Sequence, residues 1–232
     1  MTSEKLAIGL VAVALFIGSV TAYAAEFGAG VKAYNRGDYA AAIQIFRQLA
    51  EQDNAGAQYK LGTMYHEGLG VSQDYGEALR WYRKAAEQGY ADAQYLLGII
   101  YEYGIGLPQD HWEAVKWYYK AADQGNADAQ LNLGNKFWLG KIVPQHDEFA
   151  AQWYRKAAIQ GVADAQYALG VMYHHGKGVP QNYVRAHFWY NLASEQGKEA
   201  AGKIRDYLAK LMTPAQIAEA QKLARYWKPK RK

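Results

Sequence analysis

Six histidines, four serines and a recurring Gly-x-Gly are the features of this 232-residue chain that could do chemistry. The histidines are His66, His111, His146, His174, His175 and His187, and His174-His175 is their only cluster. Neighbours on a helix point about 100° apart, so the pair is a poor chelate. A zinc site would need further ligands from a distant part of the chain. All six are read as solvent-facing or loop residues, with no metal. There is no cysteine, which excludes a disulfide framework, thiolate ligands, a cysteine nucleophile and a cysteine-linked lipid anchor. None of Ser3, Ser19, Ser72 and Ser194 opens a Ser-x-x-Lys or sits in Gly-x-Ser-x-Gly. The Gly-x-Gly, as in Gly68-Leu69-Gly70, follows a helical pattern and not a strand, so it reads as a turn and not a dinucleotide fingerprint. Asp92, Asp128 and Asp164 recur at a fixed interval, which fits helix-start capping better than acid–base catalysis. The expectation is a protein that is not an enzyme and carries no cofactor.

Charge narrows the partners. Lys and Arg number 26 against 22 Asp and Glu. The excess lies in Lys228, Lys230, Arg231 and Lys232, and the body of the chain is neutral. A neutral body lacks the basic face of a nucleic-acid binder. The tail is expected to add only a few tenths of a kcal/mol to a terminal helix through its dipole. At the other end, Lys5 precedes the apolar run Leu6 to Val20, followed by Thr21-Ala22-Tyr23-Ala24-Ala25. Ala22 and Ala24 form an A-x-A site, so residues 1–24 read as a signal peptide cleaved after Ala24. The run is short for a membrane span of about 20 residues. The expected location is periplasmic or secreted, with no stable span after cleavage.

The elements that hold these residues repeat. Trp81, Trp117, Trp153 and Trp189 are spaced by 36 residues. So are Gln58, Gln94, Gln130 and Gln166; Gly62, Gly98, Gly134 and Gly170; and Gly89, Gly125, Gly161 and Gly197. Within a unit, Gln58, Leu61, Gly62 and Tyr65 form one helical stripe, and Ala78, Trp81, Tyr82, Ala85 and Ala86 form another. Asp74 with Glu77, and Asp110 with Glu113, read as capping boxes of the second helix. Gly89 ends it as a residue able to take a positive φ. One helix pair cannot bury its own apolar face, so stacked neighbours must supply the core: an all-α solenoid of antiparallel helix pairs. Four units are read at 55–90, 91–126, 127–162 and 163–198, after an opening repeat at 25–54. Helices over 199–227 cap the last unit, with Thr213, Pro214 and Gln216 as a helix start, and 228–232 is a basic tail.

The Ala-x-Ala-Gln-Tyr-x-x-Leu-Gly first helix, the Gly-x-Gly-Val-x-Gln-Asp-Tyr loop and the Trp-Tyr-x-Lys-Ala-Ala-x-Gln-Gly second helix resemble the Sel-like repeat family, relatives of tetratricopeptide repeats. The opening copy, with Gly37-Asp38-Tyr39, Ala42 and Phe46, looks more like an ordinary tetratricopeptide repeat. The third copy departs from the pattern: Ile142 replaces the second loop glycine, Trp138 follows Phe137, and Phe149 replaces the capping Glu. The resemblance implies a right-handed superhelix that scaffolds protein complexes, with bacterial members often secreted. Some cysteine-rich relatives bind or hydrolyse β-lactams, but this chain lacks their cysteines. By the same likeness the first helices line a groove. Its candidate binding residues are Tyr59, His66 and Glu67; Tyr95, Glu102 and Tyr103; Asn135 and Trp138; and Tyr167, His174 and His175. Trp138 stands where other units carry His66, Glu102 and His174, so it is expected to face solvent. Such a groove suits a protein or peptide partner. A cell-wall glycan, stacked on the aromatic rings, or a host factor is the alternative.

Overall fold

The computed structural model describes residues 24–230. The leader read over 1–24, save Ala24, lies outside the described residues, as do Arg231 and Lys232. The described residues form helices and turns only: α1 (24–35), α2 (Tyr39–Glu51), α3 (Ala55–Glu67), α4 (Tyr75–Glu87), α5 (Ala91–Tyr103), α6 (His111–Asp123), α7 (Ala127–Leu139), α8 (Asp147–Ile159), α9 (Ala163–His175), α10 (Tyr183–Glu195), α11 (Glu199–Ala209) and α12 (Pro214–Tyr226). Consecutive helices pack as pairs, giving an all-α solenoid closed at its C-terminal end by α11 and α12, both of which pack on α10.

The chain divides into two compact units: residues up to Leu97 with Ile105–Pro108, and Gly98–Gly104 with everything from Gln109. In the first, Ala42, Phe46, Leu49, Leu61 and Met64 are fully buried and Trp81 joins them. In the second, Tyr154, Leu169, Met172, Trp189, Tyr190 and Leu208 form one core that extends to Ala220 of α12.

Two periodic columns acquire a physical role. The glycine of each first helix carries a tyrosine ring from the second helix of its own repeat. A β-carbon on Gly62 would stand 2.8 Å from Tyr82, and one on Gly170 2.7 Å from Tyr190. Gly98 is equally tight against Tyr118, and Gly134 against Tyr154. Only the missing side chain lets the helices approach this closely. The glutamine column is buried and fully bonded. Gln58, Gln94, Gln130 and Gln166 donate Nε2–H to the carbonyls of Ala50, Ala86, Ala122 and Ala158, each in the preceding helix. Gln88, Gln160 and Gln196 donate in turn to the Oε1 of Gln58, Gln130 and Gln166. Each such glutamine therefore staples its repeat to the one before.

Helix starts follow the sequence with corrections. Asp74 and Asp110 cap α4 and α6 as expected, accepting from Glu77 N and Glu113 N. The reciprocal half of the capping box is not formed: Glu77 turns to Arg80 and Glu113 to Lys116 one turn on. Asp128 and Asp164 are not caps. They lie in the first turns of α7 and α9, where the helix dipole favours a carboxylate, while Asn126 caps α7. In α12 the full box forms between Thr213 and Gln216. Gly89, Gly125, Gly161 and Gly197 all take a positive φ after their helices, as read.

The third repeat resolves its departures locally. Gly140 keeps the left-handed C-cap of α7, but Ile142 takes no positive φ. His146 replaces the aspartate cap of α8, its Nδ1 accepting from Phe149 N at 3.3 Å. His187 corrects the reading of all histidines as solvent-facing or loop residues: it is 4% exposed in the core, whereas His146 is an exposed loop residue that also caps a helix. The tail also differs from expectation. Lys230 N–H donates to Ile159 O at 2.8 Å, and Pro229 lies over Gly161, so the tail clips the end of α8.

Candidate binding cleft

In the second unit, α7 and α9 border a cleft of about 480 Å³, within the range of ligand-sized pockets. Leu131, Asn135 and Trp138 line it from α7, and Tyr167 and Val171 from α9. Leu131 and Tyr167, and Asn135 and Val171, occupy equivalent positions in two successive repeats, which is why the 36-residue period brings them together; the counterpart of Trp138, His174, does not line the cleft. Tyr154 of α8 reaches the cleft with its hydroxyl, which donates to Asn135 Oδ1 at 2.9 Å. Burial pushes the Tyr154 phenol well above its ordinary pKa, so it stays a donor at neutral pH. With its oxygen so engaged, the Asn135 amide offers its N–H groups to a ligand. Asp164 at the rim pairs with Lys198. The cleft thus combines apolar and aromatic walls with one neutral amide.

Trp138 is not free in solvent, as its position implied. It is half-buried and packs against the core of this unit. A tryptophan is large enough to cover core and line the cleft at once. Glu102 is also more committed than its place among the groove residues implied: it accepts from the Tyr118 hydroxyl at 2.7 Å and forms an ion pair with Lys136. Its side chain is only 15% exposed. The four tyrosines resting on the glycine column explain the neighbouring variation. Tyr82 meets Thr63 and Tyr154 meets Asn135, one position after the glycine. Where that position is Ile99, Tyr118 turns to Glu102. Where it is Val171, the buried Tyr190 hydroxyl has no partner among the described residues.

The other predicted groove residues fall apart from this cleft. Tyr103 is 68% exposed. His174 and His175 do not diverge as adjacent helical residues were expected to; their rings stack at 4.4 Å and 14°. Burial, and then the charge of His175, holds His174 below the usual imidazole range. Among the described residues no group of three or more His, Asp or Glu could hold a metal. In the first unit, Tyr59 packs on Tyr82 and Tyr90, His66 meets Tyr75 edge-on, and the Tyr34 hydroxyl donates to Glu67. Tyr95 is half-buried there. Sequence reasoning missed Lys136 and Tyr118 as the partners of Glu102, because Lys136 is 34 residues away and its column carries no repeated charge.

Helix pairs of fixed length and a repeated inter-repeat staple define a helical-repeat protein. The Sel1 repeat model matches residues 14–54, 55–90, 91–126, 127–162 and 163–198, and the chain belongs to the Sel1 repeat family. It is similar to a Sel1 repeat protein of Oxalobacter formigenes, with 40% identity and a TM-score of 0.71 over 75% of this chain and 49% of that one. It is also similar to c5321, a protective antigen present in uropathogenic Escherichia coli strains that displays an SLR fold. There the identity is 34% and the TM-score 0.54, over 82% of this chain and 48% of that one. This chain therefore spans about half the length of both. A Sel1 repeat protein of Klebsiella pneumoniae, at 22% identity and a TM-score of 0.50, covers 81% of this chain and 93% of its own and shares the fold. No curated protein matches the chain at a significant level. Sel1 repeat proteins are in general non-catalytic scaffolds for protein–protein interaction. No helix among the described residues is long and apolar enough to cross a membrane.

Proposed function

We propose that this chain is an exported, non-enzymatic scaffold that holds an extended segment of a partner protein between α7 and α9. The observation that carries the reading is the cleft in which Trp138, Tyr167, Leu131 and Val171 surround the free amide of Asn135. An extended peptide offers what these groups accept: apolar side chains for the walls and backbone carbonyls for the amide. Export is supported by the run Leu6 to Val20 and the A-x-A at Ala22 and Ala24. A periplasmic or extracellular position also agrees with a relative being a protective antigen.

The test is a pull-down from envelope extract with the mature chain, followed by titration of the captured partner. Trp138→Ala is expected to weaken binding by about 2 kcal/mol or more, as for an aromatic anchor. Trp153→Ala, in the tryptophan column at 7% exposure, is expected to lower the melting temperature through a cavity costing about 3–5 kcal/mol. A partner bound equally by the Trp138 variant would remove the cleft from the interaction. Co-sedimentation with purified peptidoglycan, abolished by Trp138→Ala, would replace the peptide by a glycan. An intact Met1 on the protein recovered from cells would exclude cleavage after Ala24.

A further inference from the structure

Tyr173 of α9 is 4% exposed, and two arginines converge on its hydroxyl oxygen. Arg155 of α8 donates from Nη2 at 2.7 Å and Arg185 of α10 from Nη1 at 3.0 Å. Both side chains reach this point from exposed residues. Neither takes part in any of the ion pairs formed among the described residues. Two like charges on one neutral oxygen repel each other, and the further contact of the Arg185 guanidinium, over the Tyr173 ring at 5.5 Å, brings no negative charge.

The placement of Arg185 sharpens the point. It is the third residue of α10, after the Asn182 cap. The same position is Glu77 in α4 and Glu113 in α6, where a carboxylate suits the positive end of the helix dipole. A cation there is unfavourable unless an anion joins it. The related Tyr65 in the first unit receives one arginine, Arg47, at 3.2 Å. In the third repeat the corresponding pair is Tyr119 against Phe137, with neither guanidinium nor hydroxyl. The doubled arginine therefore belongs to the last repeat and is not demanded by repeat packing.

Tyr173 spends its lone pairs on the two guanidiniums and keeps its own O–H to donate. Two guanidinium groups, both on exposed residues, and a phenolic donor then meet at one point. We infer that Arg155, Arg185 and Tyr173 form an oxyanion site that takes a carboxylate from an acidic segment of a partner protein. A carboxylate presents two oxygens, one for each guanidinium, and its charge relieves both the arginine repulsion and the misplaced cation of α10. The source follows from the scaffold class, whose partners are proteins. The site is separate from the α7–α9 cleft and does not rest on it.

The probe is a blocked tetraglutamate peptide, titrated by calorimetry into the full mature chain at low and moderate salt, with tetraglutamine as control. The glutamate peptide is expected to bind and tetraglutamine to bind at least about tenfold more weakly, as for loss of charge-assisted hydrogen bonds. Arg155→Gln and Arg185→Gln are each expected to weaken binding about tenfold, with the melting temperature of the Arg185 variant unchanged or raised. Lys203→Gln, an exposed lysine elsewhere on the same unit, and Trp138→Ala are expected to leave binding within about twofold of the parent protein. Retained binding by Arg185→Gln, or equal losses with Lys203→Gln, would reduce the effect to general surface charge and overturn the site. A phosphoserine peptide that binds more tightly than tetraglutamate would overturn the carboxylate assignment in favour of phosphate. Because the cleft variant is a control here, failure of this inference leaves the cleft reading standing, and the reverse holds.

Discussion

The ring of Tyr154 rests directly on Gly134, so that a β-carbon on the glycine would stand 2.5 Å from Tyr154 Cδ1. Contact of this kind recurs in each 36-residue unit, and it makes the glycine column a packing requirement inside a helix, where glycine is otherwise unfavourable by about 0.5–1 kcal/mol.

Gly134→Ala is therefore expected to destabilise. The added methyl forces the Tyr154 ring or the helix backbone to move, at about 1–3 kcal/mol, against a gain in helix propensity of up to about 1 kcal/mol. Gly28→Ala, where nothing lies within 4 Å of the added carbon, is expected to be neutral or stabilising. Thermal melts of the two variants check the contrast. Equal effects would mean that Gly134 is not held by the ring.

Gln130 joins Ala122 O at 3.0 Å and Gln160 Nε2 at 2.9 Å in a buried position. Gln130→Leu keeps the volume but leaves one of the two Gln160 amide hydrogens without its partner, so a loss of about 1–3 kcal/mol is expected. Denaturant unfolding measures it. Because Gln160 also donates to Gly125 O, the double variant Gln130→Leu with Gln160→Leu is expected to fall short of the sum of the two single changes.

His187 gives the protein an acid-sensitive step. Its burial first, and Arg205 second, hold its imidazole below the ordinary value of 6.5, while Asp206 opposes them weakly. The unfolded chain then binds the proton more readily than the folded one. Stability is fully present above about pH 6.5 and falls as the pH drops through that value toward the folded pKa. Chemical denaturation between pH 7.5 and 5.5 is expected to show this slope, and His187→Gln to flatten it. An unchanged slope in the variant would assign the proton uptake to other groups, His174 first among them.

Truncation after Trp227 is expected to lower stability by about 1 kcal/mol, the worth of the Lys230–Ile159 backbone bond with the packing of Pro229. Replacing Lys228 and Lys230 by Gln, which keeps that backbone bond, is expected to have little effect. A truncated chain as stable as the full one would return the tail to a matter of charge alone.

The sequence by itself determined the repeat, because a periodic fold writes each contact once per unit. The 36-residue spacing of Trp, Gln and Gly gave helix pairs, their turns and the need for stacked neighbours. It also placed Leu131 and Asn135 in columns equivalent to Tyr167 and Val171, with Trp138 one turn on from Asn135, enough to expect that they share a face. Columns, however, describe what the repeats have in common. Which side chains pair depends on where they break the pattern, and there distance along the chain is no guide. Lys136 neutralises Glu102 from one repeat away, and Ile99 in place of a polar residue is what sends Tyr118 to that same carboxylate. Trp138 looked solvent-facing because its counterparts are polar, yet a side chain of its size spans from cleft to core. The tail looked like free charge because its sequence is basic, while the backbone of Lys230 found an open carbonyl at the end of α8. Arg155 and Arg185 are 30 residues apart and unremarked by any motif. Only the packing of α8, α9 and α10 around Tyr173 brings their charges to one oxygen, because electrostatics acts through space and the repeat period constrains only what recurs.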